Sequence, residues 1–192
     1  MNVLRLAASR LVCAAAISVV CSPAHAGTIS LGNWLQFSFT SAGTTASGCD
    51  PADPAGDFCI PSSGTPSSFL DAPPWTFTSA LASKLFVTDA FLSGDRFSIL
   101  DFNVPIQLTS APTSGVDCGD DPAVCLATPG MSTAVLQLSA GTHSLTIIPT
   151  ATDGGSGFLR VDAVPEPATL ALMTAGLVLL LSIAHVRREV RK

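Results

Sequence analysis

Residues 131–150 read MSTAVLQLSAGTHSLTIIPT. Two runs rich in apolar and β-branched residues, Met131 to Leu138 and His143 to Thr150, flank the small residues Ser139-Ala140-Gly141-Thr142. Such runs on either side of a short glycine-containing segment are typical of a β-hairpin. We therefore predict two paired antiparallel strands that are joined at this turn.

The segments around this hairpin also have the composition of short strands, and residues 27–163 contain no stretch with the 3.6-residue period of a helix. Expected strands are 28–40, 75–77, 84–92, 96–102 and 157–162, with a turn at Ser93-Gly94-Asp95. In each of three strands the spacing places a set of residues on one face. These sets are Ile29, Leu31, Leu35, Phe37 and Phe39 in strand 28–40, Leu85 and Val87 in strand 84–92, and Phe97, Ile99 and Asp101 in strand 96–102. This spacing predicts an all-β fold, a single antiparallel β-sandwich of the jelly-roll type.

The predicted domain, residues 27–163, is strongly acidic. It contains twelve Asp, no Glu and only three basic residues, Lys84, Arg96 and Arg160, which gives a net charge of −9. An acidic surface argues against binding to nucleic acid or anionic lipid. It is compatible with divalent cations, with a hydrated polysaccharide environment, or simply with solubility outside the cell.

Two Pro- and Gly-rich insertions, Ser41 to Ser68 and Ala111 to Gly130, interrupt the strands. Each contains two of the four cysteines of the domain, Cys49 with Cys59 and Cys118 with Cys125. Cysteines in this number and arrangement predict disulfides if the domain lies in an oxidising compartment. Pairing within each insertion is favoured over pairing between the insertions, and the spacings are poor for a zinc finger.

The insertions also concentrate aspartates, namely Asp50, Asp53 and Asp57 in the first and Asp117, Asp120 and Asp121 in the second. Calcium takes several carboxylate and carbonyl oxygens from loops, so either set is a candidate site. The alternative is that these side chains serve the backbone of turns. The same two interpretations apply to Asp89, Asp95 and Asp101, which lie six residues apart around a glycine turn.

No set of residues in the domain specifies a catalytic reaction. His143 is its only histidine, no G-x-S-x-G segment is present, and the absence of Glu disfavours a glycosidase pair. We therefore expect a protein that is not an enzyme and that has no obligatory cofactor. Trp34 and Trp75 are candidates for stacking on sugar rings, although a tryptophan in a sandwich core is the usual case. The functional alternatives are a calcium- or glycan-binding module and, less favoured, a secreted hydrolase.

Residues 1–26 have the pattern of a secretory signal peptide. Arg5 and Arg10 precede an apolar run from Leu11 to Cys21, and Ala24-His25-Ala26 forms an A-x-A cleavage site. The expected partners are the Sec translocon and signal peptidase, and the mature chain is expected to begin at Gly27.

The C-terminal end, residues 164–192, has the pattern of a membrane anchor. Residues 168–186 are free of charge and proline and would span roughly 28 Å as a helix, close to the ~30 Å core of a bilayer. The basic tail, residues 187–192, then supplies Arg187, Arg188, Arg191 and Lys192. The positive-inside rule places this tail in the cytoplasm and the domain outside.

The tail resembles the PEP-CTERM sorting signal of Gram-negative bacteria. The resemblance rests on Val164, Pro165, Glu166 and Pro167, on the single apolar helix and on the arginine-rich end. It implies recognition by exosortase, a membrane cysteine protease-transpeptidase, at the PEP motif 165–167. Stretches 89–97, 140–147 and 155–161 are similar to the β-sandwich cargo of many such proteins, for which the family has no agreed activity.

The expected protein is therefore an exported structural protein of the cell surface or of the extracellular matrix, associated with exopolysaccharide or biofilm. Before processing it is expected in the inner membrane with its domain in the periplasm. After processing it is expected at the cell surface or in the matrix.

Overall fold

The computed structural model describes residues 26–151, 154–165, 172–173 and 175–176. Residues 1–25, which include Ala24 and all of the predicted signal peptide except Ala26, lie outside the described residues, as does most of the tail. The described part is mostly β, as predicted, with one short helix. Its elements are β1 (Trp34–Phe39), β2 (Cys49–Asp50), β3 (Asp57–Phe58), β4 (Ser67–Phe69), β5 (Trp75–Ser79), β6 (Ser83–Asp89), β7 (Arg96–Asp101), β8 (Val104–Leu108), α1 (Pro122–Ala127), β9 (Thr133–Leu138), β10 (Gly141–Ala151) and β11 (Gly155–Ala163).

The strands form a five-stranded sheet in the order β4-β1-β11-β6-β9 and a four-stranded sheet in the order β5-β10-β7-β8. Strands β2 and β3 form a small third sheet. Eight strands have five or more residues, and along the chain they are β1, β5, β6, β7, β8, β9, β10 and β11. When these eight are counted from 1 to 8, their order is 1-8-3-6 in the first sheet and 2-7-4-5 in the second. This is the strand order of a jelly roll. The pairing is not wholly antiparallel as predicted, because β1–β4 and β2–β3 are parallel pairs.

The predicted hairpin at residues 139–142 is wrong. Strand β9 pairs with β6 in the five-stranded sheet, whereas β10 pairs with β5 and β7 in the four-stranded sheet. The chain therefore crosses from one sheet to the other between Leu138 and Gly141. The turn at 93–95 likewise joins β6 and β7 of different sheets. Both crossings are short segments that contain glycine, as hairpin turns also are. The local sequence therefore does not distinguish a crossing between sheets from a hairpin within one sheet.

A two-residue hairpin turn instead joins β7 to β8, where Asp101 pairs with Val104. The two central residues, Phe102 and Asn103, have φ of 48° and 63°. Positive φ at both central positions is the requirement of a type I′ turn, which suits the twist of the paired strands. The sequence analysis missed this turn because a phenylalanine rarely occupies the left-handed region.

One hydrophobic core lies between the two sheets. Phe37 of β1 is fully buried and lies 5.5 Å from Phe97 and 5.8 Å from Trp75, ring centre to ring centre. Phe97 and Trp75 belong to the other sheet, so these contacts fasten the sheets together. Most of the predicted inward side chains are buried, but Leu31 is exposed because it lies in a turn before β1.

Candidate functional site

The two insertions cover the outer face of the five-stranded sheet, opposite the core. The first insertion lies along β1, where the Ser38 hydroxyl donates to the Gly48 carbonyl at 2.5 Å and accepts from the Asp57 N–H at 3.0 Å. In the second, Leu126 of α1 packs with Trp34 and Phe158 on the sheet. All six residues of β1 are buried as a result, on both faces of the strand.

The insertions are joined to each other by two adjacent aspartates. The Ser63 N–H and hydroxyl donate to Asp120 at 3.0 and 2.8 Å, and the Thr65 N–H donates to Asp121 at 3.0 Å. Asp121 is also the N-cap of α1 and accepts from the Ala123 N–H at 2.9 Å. Desolvation works to raise the pKa of Asp121, but the hydrogen bonds from Thr65 and from the helix outweigh it and hold the pKa below its usual value.

Each insertion is also closed by its own disulfide. Cys49 bonds to Cys59, and Cys118 bonds to Cys125. This is the local pairing that the sequence favoured. In the chain-entropy model, loops of this length stabilise the folded state by roughly 2.5–3 kcal/mol each.

The six candidate calcium-binding aspartates are not gathered into ion sites. Asp53 is buried and accepts from the Gly48 and Ala55 N–H groups, both at 2.9 Å, and Asp117 accepts from the Gly119 N–H at 2.9 Å. Asp120 and Asp121 tie the insertions together, while Asp50 and Asp57 are exposed. Within the described ranges no group of three or more His, Cys, Asp or Glu side chains is arranged to hold a metal ion. The placement of Asp53, Asp117, Asp120 and Asp121 follows the backbone-serving interpretation.

His143 is buried between two acceptors. Its Nδ1 lies 2.7 Å from Asp101 Oδ2, its Nε2 lies 3.0 Å from the Ser139 carbonyl oxygen, and its ring stacks on Phe77 at 4.9 Å. Asp101 also accepts from the Ser144 N–H at 2.9 Å. A Ser/His/Asp triad needs the second ring nitrogen to face a nucleophile, and here that nitrogen faces a carbonyl. The pair holds the end of β7 to the start of β10.

The two tryptophans are not exposed sugar-stacking platforms. Trp75 is fully buried, and its indole N–H donates to the Asp71 carbonyl at 2.7 Å. Trp34 is 3% exposed and lies beneath the Arg160 guanidinium, 4.8 Å from the ring centre. The suggestion that they stack on sugars is therefore wrong, because the core covers the Trp75 ring, and the second insertion and Arg160 cover the Trp34 ring.

Asp89 ends β6 and organises the crossing to the second sheet. Its carboxylate accepts from the Ala90 N–H at 2.9 Å and from the Asp95 N–H at 3.3 Å. Burial, with a smaller contribution from the Asp95 charge, raises the pKa of Asp89 from 3.8 to about 7. The folded chain therefore binds this proton more tightly than the unfolded chain does.

This raised pKa predicts a pH dependence of stability. Between pH values of about 4 and 7 the folded state holds the Asp89 proton that the unfolded state has lost, so the free energy of unfolding falls as pH rises through this range. The loss is on the order of a few kcal/mol. Asp89→Asn should remove this loss, and we expect the variant to be more stable than the parent at pH 8 by roughly 1–3 kcal/mol.

Urea unfolding at pH 5 and pH 8 measures the effect, with the exposed Asp50→Asn as the matched control. The control should keep the pH dependence of the parent chain. Equal pH slopes for Asp89→Asn and the parent would contradict the assignment.

The chain leaves the folded body directly into the sorting motif. The last strand ends at Ala163, the Val164 N–H donates to the Ala82 carbonyl at 2.8 Å, and Pro165 is exposed. Glu166, Pro167, the predicted helix 168–186 (apart from four positions) and the basic residues Arg187, Arg188, Arg191 and Lys192 lie outside the described residues. In the described part of the chain, no helix has the length and apolar character needed to cross a bilayer.

A family model described as the PEP-CTERM protein-sorting motif matches residues 163–188. The chain carries a PEP-CTERM sorting motif. No curated protein and no solved structure was found to match the chain. The PEP-CTERM motif marks an exported protein whose precursor is anchored at its C-terminal end and whose processing partner is exosortase. The match starts at Ala163, so the motif begins where β11 ends.

Sequence reasoning missed two features around this PEP-CTERM cargo. The first is α1, although Asp121-Pro122 is a helix start signal, an N-cap residue followed by proline at the first helical position. The second is the joining of the insertions through Asp120 and Asp121. Their partners Ser63 and Thr65 are 57 and 56 residues away, and no local pattern indicates a contact at that distance.

Proposed function

We propose that this chain is a non-enzymatic structural protein of the cell surface or of the extracellular matrix, which exosortase sorts and processes. The sorting motif at residues 163–188 is the observation that carries the proposal. The signal peptide directs export through the Sec translocon, signal peptidase cuts after Ala26, and the helix 168–186 holds the precursor in the inner membrane. The domain then faces the periplasm until the tail is removed. Outside the cell, its proposed partner is the exopolysaccharide of the matrix.

The described domain is built for conditions outside the cytoplasm, which supports this proposal. Two disulfides close its insertions, and oxidised cysteines persist in exported compartments. The net charge of −9 in residues 27–163 keeps the domain soluble and disfavours binding to nucleic acid. The single histidine of the domain is engaged on both ring nitrogens. These features suit a stable domain that folds and oxidises after export and is already folded when exosortase releases it.

The proposal is tested by producing the full chain, with an epitope inserted at the exposed Gly43 turn, in a host with and without its exosortase. With the enzyme, we expect the protein at the surface or in the matrix without its C-terminal helix, as mass spectrometry of the last peptide would show. Without the enzyme, we expect the uncut precursor in the inner membrane. Identical mass and location in the two hosts would overturn the proposal.

A further inference from the structure

A groove of about 220 Å³ lies on the covered side of the five-stranded sheet. Its walls are Phe58 and Ile60 of the first insertion and Phe91 of the β6–β7 crossing, and Ser156 of β11 and the exposed Asp57 also line it. Phe58 is 77% exposed and Ile60 50% exposed, so both offer apolar surface to solvent.

Each wall is held in place by a different insertion. Cys59 is 1% exposed and bonded to Cys49, which directs its two neighbours, Phe58 and Ile60, outward. Phe91 is fixed by the second insertion, because its N–H donates to the Gly119 carbonyl and its carbonyl accepts from the Cys118 N–H, both at 2.9 Å. The backbone of both walls is therefore held in place before any ligand arrives.

Phe91 also has an uncommon backbone conformation, with φ of 56°. A bulky residue in the left-handed region is strained, and such strain concentrates at ligand-binding positions, where the surrounding structure enforces it. Glycine would fit this backbone without strain, but it would remove the ring from the groove wall.

The polar side of the groove is also formed in advance. The Gln36 amide, which is fully buried, donates to the Ser156 hydroxyl at 3.1 Å. The Ser156 hydroxyl thus accepts from inside the domain and keeps its own proton for a ligand. The Asp57 carboxylate supplies an acceptor at the rim. No residue that lines the groove carries a positive charge.

We propose that this groove binds one ring of a neutral saccharide chain. Phenylalanine and isoleucine side chains match the C–H faces of a sugar ring, while a carboxylate and a hydroxyl match its hydroxyl groups. The groove is smaller than the ~300–1,000 Å³ pockets that enclose drug-sized ligands, so a single ring fits while the chain continues over the surface. A uronic acid chain would meet the Asp57 charge and the acidic domain, and is repelled.

The test uses the full chain, exported so that its cysteines oxidise, and purified in a zwitterionic detergent without a sugar headgroup. Cellohexaose, xylohexaose, mannohexaose and hexagalacturonate are each titrated by calorimetry. We expect a dissociation constant of about 1 mM or tighter for at least one neutral hexaose, and weaker binding of hexagalacturonate. Phe58→Ala should weaken the neutral ligand about tenfold or more. Its ring is largely exposed, so the fold does not depend on it.

Leu92→Ala is the matched control, because Leu92 is 62% exposed, lies next to Phe91 and does not line the groove. It should leave the affinity unchanged. The proposal is overturned if none of the three neutral hexaoses binds, if hexagalacturonate binds more tightly than they do, or if the two alanine variants bind alike. Saccharide binding does not require exosortase, so this result stands apart from the sorting experiment.

Discussion

Replacing Pro165, Glu166 and Pro167 with alanine is expected to leave the tail attached and to trap the protein in the inner membrane. Each proline fixes its own φ and biases the preceding residue toward extended backbone, the conformation in which proteases bind their substrates. Alanine favours helix, so the predicted helix 168–186 would grow toward β11. The Val164 N–H already donates to the Ala82 carbonyl. Residues 165–167 are therefore almost the only ones between the domain and the predicted helix that a protease could bind.

Immunoblotting of membrane and surface fractions, with mass spectrometry of the C-terminal peptide, measures this effect. The matched control is Pro54→Ala, since Pro54 is also exposed but lies in the first insertion. Glu166→Gln alone separates the charge from the backbone stiffness. A triple-alanine protein that is processed at the rate of the parent would show that the motif is not what exosortase reads.

Phe37→Ala is expected to lower the free energy of unfolding by about 4 kcal/mol. The side chain is fully buried and contacts Phe39 of its own sheet and two aromatic rings of the other sheet, so its loss leaves a cavity at their junction. A Cβ at Gly157, on the neighbouring strand β11, would lie 2.5 Å from the Phe37 ring. Gly157→Ala alone should therefore also destabilise the domain, by overpacking of about 1–3 kcal/mol.

The two substitutions together test this contact. Because alanine at position 37 removes the ring that a methyl group at position 157 would strike, the double variant should be less destabilised than the sum of the single variants, by about 1 kcal/mol or more. Urea unfolding under oxidising conditions measures all three. Leu92→Ala, at an exposed site, should stay within about 0.5 kcal/mol of the parent. Strict additivity would show that the ring and the glycine are not in contact.

The sequence predicted the β class and much of the core, because burial leaves a local trace. Leu35, Phe37 and Phe39 alternate along β1 and all face the same core. Alternation reports which side of a strand is buried, but it does not report which sheet the strand joins. Strands β9 and β10 show the same pattern in a hairpin or in a crossing, so the predicted hairpin failed while the strands themselves were found.

The sites were less predictable than the strands, because they depend on what the insertions cover. Trp34 alternates out of the core and would be exposed on a bare sheet, yet the second insertion and Arg160 bury it. Phe58 and Phe91 come together only through backbone bonds and a disulfide in segments without periodicity. The sorting motif is the opposite case, because its information lies in contiguous residues and needs no fold to be read.

Strand β11 has Ser156 at its beginning and Val164 just beyond its end. Eight residue-to-residue steps of extended chain separate them, a distance of about 27 Å. Any anchor at the C-terminus therefore holds the domain at the end of β11, while the groove between Phe58 and Phe91 lies at the opposite end of that strand. Copies anchored side by side on a cell would all present the groove away from the anchor. Each copy could then bind a different part of one polymer, so that several weak contacts give multivalent binding.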